Sequence, residues 1–148
     1  MPSYMTVVEA NAYFNDRLNV APWINSIADD HRRALATATK IIDRLNFLGS
    51  KTDPLQENQF PRADDILIPN DIKYASAEIA LALLDGVDPE LEFENLFLKS
   101  QGYSSIRATY DKDPPAYNIA AGIPSVTAWR YLVPYLRDPH EVTMIRIN

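Results

Sequence analysis

The sequence predicts a mainly α-helical protein. The fold expected is a small bundle of three to five helices with long extended arms, a β-hairpin-like segment among them, and an extended C-terminal tail. Three observations carry this. Thr6-Val7-Val8-Glu9 is a capping box, in which threonine and glutamate satisfy amide donors at a helix start. Apolar residues then recur at helical spacing in blocks separated by Gly and Pro. Strand-like alternation is confined to a partial pattern over 101–110 and to the last residues of the chain.

The elements follow in order. Val7, Ala10, Phe14 and Leu18 form one stripe and predict a helix over about 7–18. Pro22-Trp23-Ile24 predicts a short helical turn anchored by the tryptophan. Asp29 or Asp30 is expected to cap a helix over about 29–45, with a stripe of Ala34 or Leu35, Ala38, Ile41 or Ile42, and Leu45. Its many small residues should let another helix approach closely. Gly49 is the expected stop.

Residues 50–69 form a polar loop closed by two apolar anchors, Phe60-Pro61-Arg62 and Ile66-Leu67-Ile68-Pro69. So long a loop should either function or embrace the core. Asn70 or Asp71 should cap a helix over about 71–85, apolar on every side from Ile79 to Leu84 and hence the most buried. A short acidic helix should run from Pro89 to about Phe97, with Leu91, Phe93, Leu96 and Phe97 on its apolar side.

An extended insert is expected over about 101–123. It is too apolar for a disordered tail and too weakly patterned for a second domain. Ser125 caps a last helix over about 126–136, interrupted or ended at Pro134. Residues 1–136 thus read as one domain, followed by an alternating tail over 137–148 that seeks a sheet edge.

Composition narrows function. The 148 residues are 47% hydrophobic and 23% charged, values typical of a globular protein. No apolar run is long enough for a membrane span, and the N-terminus lacks the features of a secretory signal. With no cysteine there is no thiolate chemistry and no sulfur-based zinc site. His31 and His140 sit in no metal-ligand spacing and read as surface residues. The four glycines are scattered, so no phosphate-cradling loop can be built. Asp29-Asp30 and Asp64-Asp65 read as a helix cap and a solvated loop. No catalytic residue, cofactor or metal is expected.

The net charge is −6, and Asp85, Asp88, Glu90, Glu92 and Glu94 lie in a stretch with no base. Strong nonspecific DNA binding is therefore disfavoured. Trp23, Tyr103, Arg107, Tyr110, Tyr117, Trp129, Arg130, Tyr131 and Tyr135 could stack nucleobases. The same residue types are enriched at protein interfaces, and the acidic total favours that reading. For Trp129, core packing is an equal alternative.

An ordered set of short motifs remains. It comprises Thr6-Val7-x-Glu9-Ala10-x-Ala12-Tyr13-Phe14-x-x-Arg17-Leu18 with Trp23, and Ala34-Leu35-x-x-Ala38-Thr39-x-x-Ile42-Asp43-x-Leu45. Gln59-Phe60-Pro61-Arg62 and Ile68-Pro69-x-Asp71-Ile72-Lys73-x-Ala75 complete it. Together, over about residues 4–136, they resemble the head-to-tail adaptor (connector) proteins of tailed bacteriophages. That group is also labelled DnaT-like single-stranded-DNA-binding protein.

The resemblance implies a virion protein of the neck, a helical subunit that forms a ring, usually of twelve copies, beneath the portal. Its implied partners are the portal protein, tail or nozzle proteins, other copies of itself, and double-stranded DNA that passes without specific binding. By that analogy the last helix and tail dock on the portal, through Trp129, Tyr131, Tyr135, Arg137, Met144, Ile145 and Arg146. The acidic run would suit a DNA conduit, since carboxylates repel phosphates. The label itself supplies the competing expectation, a replication-type single-strand binder.

Overall fold

The computed structural model describes residues 2–102 and 117–138. Among these residues the architecture is mainly helical, as the sequence predicts. The helices are α1 (Val7–Asn15), α2 (Ala21–Ile24), α3 (Ala28–Asp43), α4 (Asn70–Leu84), α5 (Pro89–Gly102), α6 (Tyr117–Ala120) and α7 (Val126–Leu132). A 3-10 turn over Val133–Tyr135 follows α7. The described residues pair as strands only at two isolated antiparallel bridges, Phe47 with Leu136 and Lys51 with Arg62.

α4 is the central helix. It packs most extensively on α3 and α7, and α1 and α2 also lie against it. Ile72 and the whole run Ala75–Leu81 are buried. Close packing follows from small side chains on both partners: Ala34 and Ala38 on α3, and Ala75, Ser76 and Ala80 on α4.

α1 opens with the expected capping box. Thr6 Oγ1 accepts the Glu9 N–H and Glu9 Oε1 accepts the Thr6 N–H, each at 3.1 Å. Glu9 also pairs with Lys73 Nζ at 2.8 Å, which tacks α1 to α4 and holds the Glu9 carboxyl below its usual range. The helix stops at Asn15, short of the expected Leu18, and Asn19 then takes a left-handed conformation (φ +62°). Leu18 is therefore not part of the stripe; it is 82% exposed. α2 matches expectation, with Trp23 buried and its Nε1 donating to Asn11 Oδ1 at 2.8 Å.

Both expected aspartate and asparagine caps are displaced. Ile27 and Pro69 occupy the cap positions of α3 and α4, without side-chain caps. Asp29, Asp30 and Asp71 fall in the first turns, where their charge meets the positive end of the helix dipole. At the other end of α4, Gly86 (φ +89°) follows the Asp85 cap as expected.

The loop after α3 embraces the core through one of its two anchors. Phe60 is buried and packs edge-on against Tyr4, Phe47 and Tyr135. The second anchor fails: only Ile68 reaches the core, while Ile66 is 89% and Leu67 79% exposed. The cause is a turn in which Ala63 and Asp64 both adopt positive φ and Asp65 N–H closes onto Arg62 O at 3.0 Å. That turn points the next two residues outward.

α5 runs past the expected end at Phe97 to Gly102, started by Asp88, whose Oδ1 accepts the Glu90 N–H at 3.0 Å. Of its expected apolar side, Phe93 and Leu96 are half-buried and Leu91 is exposed. The extended insert over 101–123 is corrected at both ends, because residues 101–102 close α5 and 117–120 are helical. α6 ends in a Schellman motif: Ile123 N–H bonds Asn118 O at 2.8 Å and Gly122 N–H bonds Ile119 O at 3.0 Å. Gly122 supplies the φ of +82° that the motif needs. The strand-like residues 103–110 lie outside the described residues.

Ser125 caps α7 as expected, its Oγ accepting the Ala128 N–H at 3.1 Å. Pro134 lacks an N–H, and the helix tightens into the 3-10 turn instead of running to 136. The chain then pairs with the segment after α3: Leu48 N–H bonds Tyr135 O at 2.9 Å and Arg137 N–H bonds Asn46 O at 3.1 Å. Beyond residue 138 the expected tail strand lies outside the described residues.

Candidate partner-binding surface

The residues singled out from the sequence are not gathered on one exposed patch. Trp129, Tyr131 and Tyr135 are half-buried and packed against the core. Tyr131 lies 5.8 Å from Tyr74, which in turn stacks on Tyr13 at 5.0 Å. Tyr135 donates its hydroxyl to Asp71 Oδ2 at 3.0 Å; burial, then that carboxylate, raises its pKa. Arg137 is exposed. Met144, Ile145 and Arg146 lie outside the described residues.

Aromatic side chains are consistently inward. Tyr4, Phe14, Trp23, Phe47 and Phe60 are buried, and none of the aromatic residues whose side chains are described is exposed. His31 departs from the surface reading: its ring stacks on Trp23 at 3.9 Å and its Nε2 lies 2.7 Å from Trp23 O. A carbonyl can only accept, so Nε2 carries the proton.

Several cations are committed as well. Arg33 pairs with Asp30 at 3.1 Å, and Lys73 is held by Glu9. Arg17 grips Glu78 in a fork, Nε to Oε2 at 2.8 Å and Nη2 to Oε1 at 2.9 Å. Tyr13 donates its hydroxyl to the same Oε2. Burial and the Glu78 carboxylate push the Tyr13 hydroxyl well above its ordinary range, and Glu78 raises the Arg17 guanidinium. With its charge compensated, Glu78 is a clamp between α1 and α4, not a free acid or base.

Glu78 was missed by sequence reasoning. The available signal was a carboxylate inside the apolar stretch that runs from Ala75 to Leu84, where a charge is tolerated only if paired. Among the described residues no group of three or more His, Asp or Glu is placed to hold a metal. No helix among them is long and apolar enough to cross a membrane.

The exposed apolar side chains are instead aliphatic, and several sit on the loop after α3. That loop is tightly built. Arg62 Nε donates to Leu48 O at 2.9 Å, Nη2 to Gly49 O at 2.6 Å, and Nη1 to Gln59 Oε1 at 2.7 Å. Thr52 N–H bonds Pro61 O at 3.1 Å, and Thr52 Oγ1 donates to Asp65 O at 2.9 Å. Asp53 Oδ1 accepts the Leu55 N–H at 2.9 Å and orders the tip. From this frame project Ile66, Leu67 and Leu55, the last 91% exposed. Ordered aliphatic side chains in water are what a protein contact would cover.

A groove of about 530 Å³ opens elsewhere, between α3, the end of α4, α5 and α6. Ile41, Leu83, Phe93 and Ala121 form its apolar lining. Lys40 and Arg44 stand on the α3 side, and Asp88, Glu90 and Glu94 on the α5 side. Those three carboxylates and Asp85 are solvent-exposed, while Glu92 is half-buried.

No curated protein and no solved structure shows a significant match to the chain. A family model does: "Putative DnaT-like ssDNA binding protein" matches residues 1–138. The match takes in every described helix and the motif set that runs from Thr6 to Ala75, and the chain belongs to this family.

Proposed function

We propose that this member of the family is a structural protein of a tailed-phage virion, a head-to-tail adaptor that forms a ring on the portal and contributes to the DNA channel. One observation carries the reading: among the described residues most aromatic rings pack on the core, while the exposed large apolar residues are aliphatic and several of them, Leu55, Ile66 and Leu67 included, are displayed on a rigid loop. That surface suits protein contacts. The residues that project from that loop offer no ring face for a base to stack on, and the half-buried Phe93 beside Lys40 and Arg44 lies in the separate groove. The portal, tail or nozzle proteins and neighbouring copies are the proposed partners. The exposed carboxylates around α5 would keep passing duplex from sticking.

The family's description favours a second reading, a single-strand-binding protein. The two separate in a titration with a fluorescent oligothymidylate at low salt. The adaptor reading predicts no saturable binding up to about 100 µM, the weak edge of nonspecific protein–DNA affinity. Micromolar binding that weakens steeply with added salt would overturn it in favour of the second reading.

A further inference from the structure

We propose that the aliphatic pair Ile66–Leu67 of one copy seats in the α3–α5–α6 groove of a second copy. The inference rests on the self-assembling reading above and names its contact. Three observations converge. The projection is preordered by the Arg62 and Thr52 hydrogen bonds, so little conformational freedom is lost on docking. The groove offers an apolar lining of Ile41, Leu83 and Phe93.

Charge also matches on one side. Asp64 and Asp65 immediately precede Ile66, and all four residues 64–67 are exposed. Lys40 and Arg44 on the groove rim are likewise exposed and make no ion pair with any described residue. The acidic α5 rim then fixes the orientation, because a reversed projection would set Asp64 and Asp65 against Asp88, Glu90 and Glu94.

The geometry of α3 decides the kind of assembly. One face holds the loop: Thr39 Oγ1 accepts the Tyr4 N–H at 3.0 Å, and Asp43 Oδ1 accepts the Tyr4 hydroxyl and the Gln59 N–H. The groove lies on Thr37, Lys40, Ile41 and Arg44. At 3.6 residues per turn the two faces are about 130° apart round the helix. A projection and its receptor on different faces make a heterologous contact, which repeats from copy to copy instead of closing on a two-fold axis.

The chain has no cysteine, so a disulfide can be read without background. Full-length Leu67→Cys and Thr37→Cys proteins are mixed and oxidised, at concentrations up to about 1 mM so that weak contacts are populated. The expected result is the mixed dimer in clear excess over either homodimer, and a ladder of oligomers from the variant carrying both cysteines.

Sedimentation supplies the second readout. Asp64→Lys/Asp65→Lys should weaken self-association by about tenfold or more, and adding Lys40→Glu/Arg44→Glu should restore it. Leu67→Cys homodimers in excess, or an intramolecular disulfide in the double variant, would overturn the proposed contact. Self-association without the mixed disulfide would overturn the contact and leave the assembly reading standing. A chain that stays monomeric throughout would overturn the contact as well, while the assembly reading is decided with the portal protein present.

Discussion

Replacing Arg17 by alanine is expected to lower the unfolding free energy by about 3 kcal/mol, the low end for stranding a buried charge because Arg17 is itself partly exposed. Glu78 is 2% exposed on the central helix, and Arg17 supplies two of its three hydrogen bonds. Without the guanidinium the carboxylate stays buried with only Tyr13 for company. The loss therefore comes mainly from the uncompensated charge, not from the contact itself. Combining Arg17→Ala with Glu78→Gln removes that charge and should recover more than half of the loss. Urea denaturation reads both, as a shift in midpoint at constant slope. A single-variant loss below about 0.5 kcal/mol would show that the clamp contributes nothing beyond an ordinary surface pair.

Ile79→Ala should cost about 3–4 kcal/mol, within the range for truncating a fully buried aliphatic side chain. Ile79 is fully buried on α4, the helix that touches α1, α2, α3 and α7. Ile66→Ala, on the exposed projection, should stay within about 0.5 kcal/mol of wild type. Equal losses at the two sites would contradict the central position of α4.

Features carried by local chemistry were legible in the sequence. The Thr6–Glu9 capping box and the Ser125 cap appear where short-range pattern places them, and α4 is the buried helix as expected, although its buried run is Ala75–Leu81 and Ala82, Leu83 and Leu84 of the expected stretch are half-buried. Misreadings cluster where the deciding contact is distant. An aspartate near a helix start serves equally as cap or as first-turn residue, and Asp71 is fixed in the second role alongside its hydrogen bond from Tyr135. Ile66 and Leu67 look like core anchors beside a proline. The left-handed turn at Ala63 and Asp64, neither of them glycine, sends them outward and leaves no signature in composition.

The candidate surface was harder to read than the fold. Tyrosine and tryptophan are enriched both in interfaces and in cores, so the residue type alone cannot separate them. Tyr131 and Tyr135 turn out to be partly committed to Tyr74, Phe60 and Asp71. The ordered aliphatic display on the Arg62 loop depends on hydrogen bonds from the Arg62 and Thr52 side chains to backbone carbonyls 14 and 13 residues away, which no local pattern reveals.

The proposal of an assembling virion subunit is tested most directly by mixing the full-length chain with its cognate portal protein and measuring mass and symmetry, by native mass spectrometry and particle imaging. The account predicts a ring of this chain capping the portal, with the same or a related symmetry. A chain that stays monomeric beside a well-formed portal, and binds oligonucleotide instead, would contradict it.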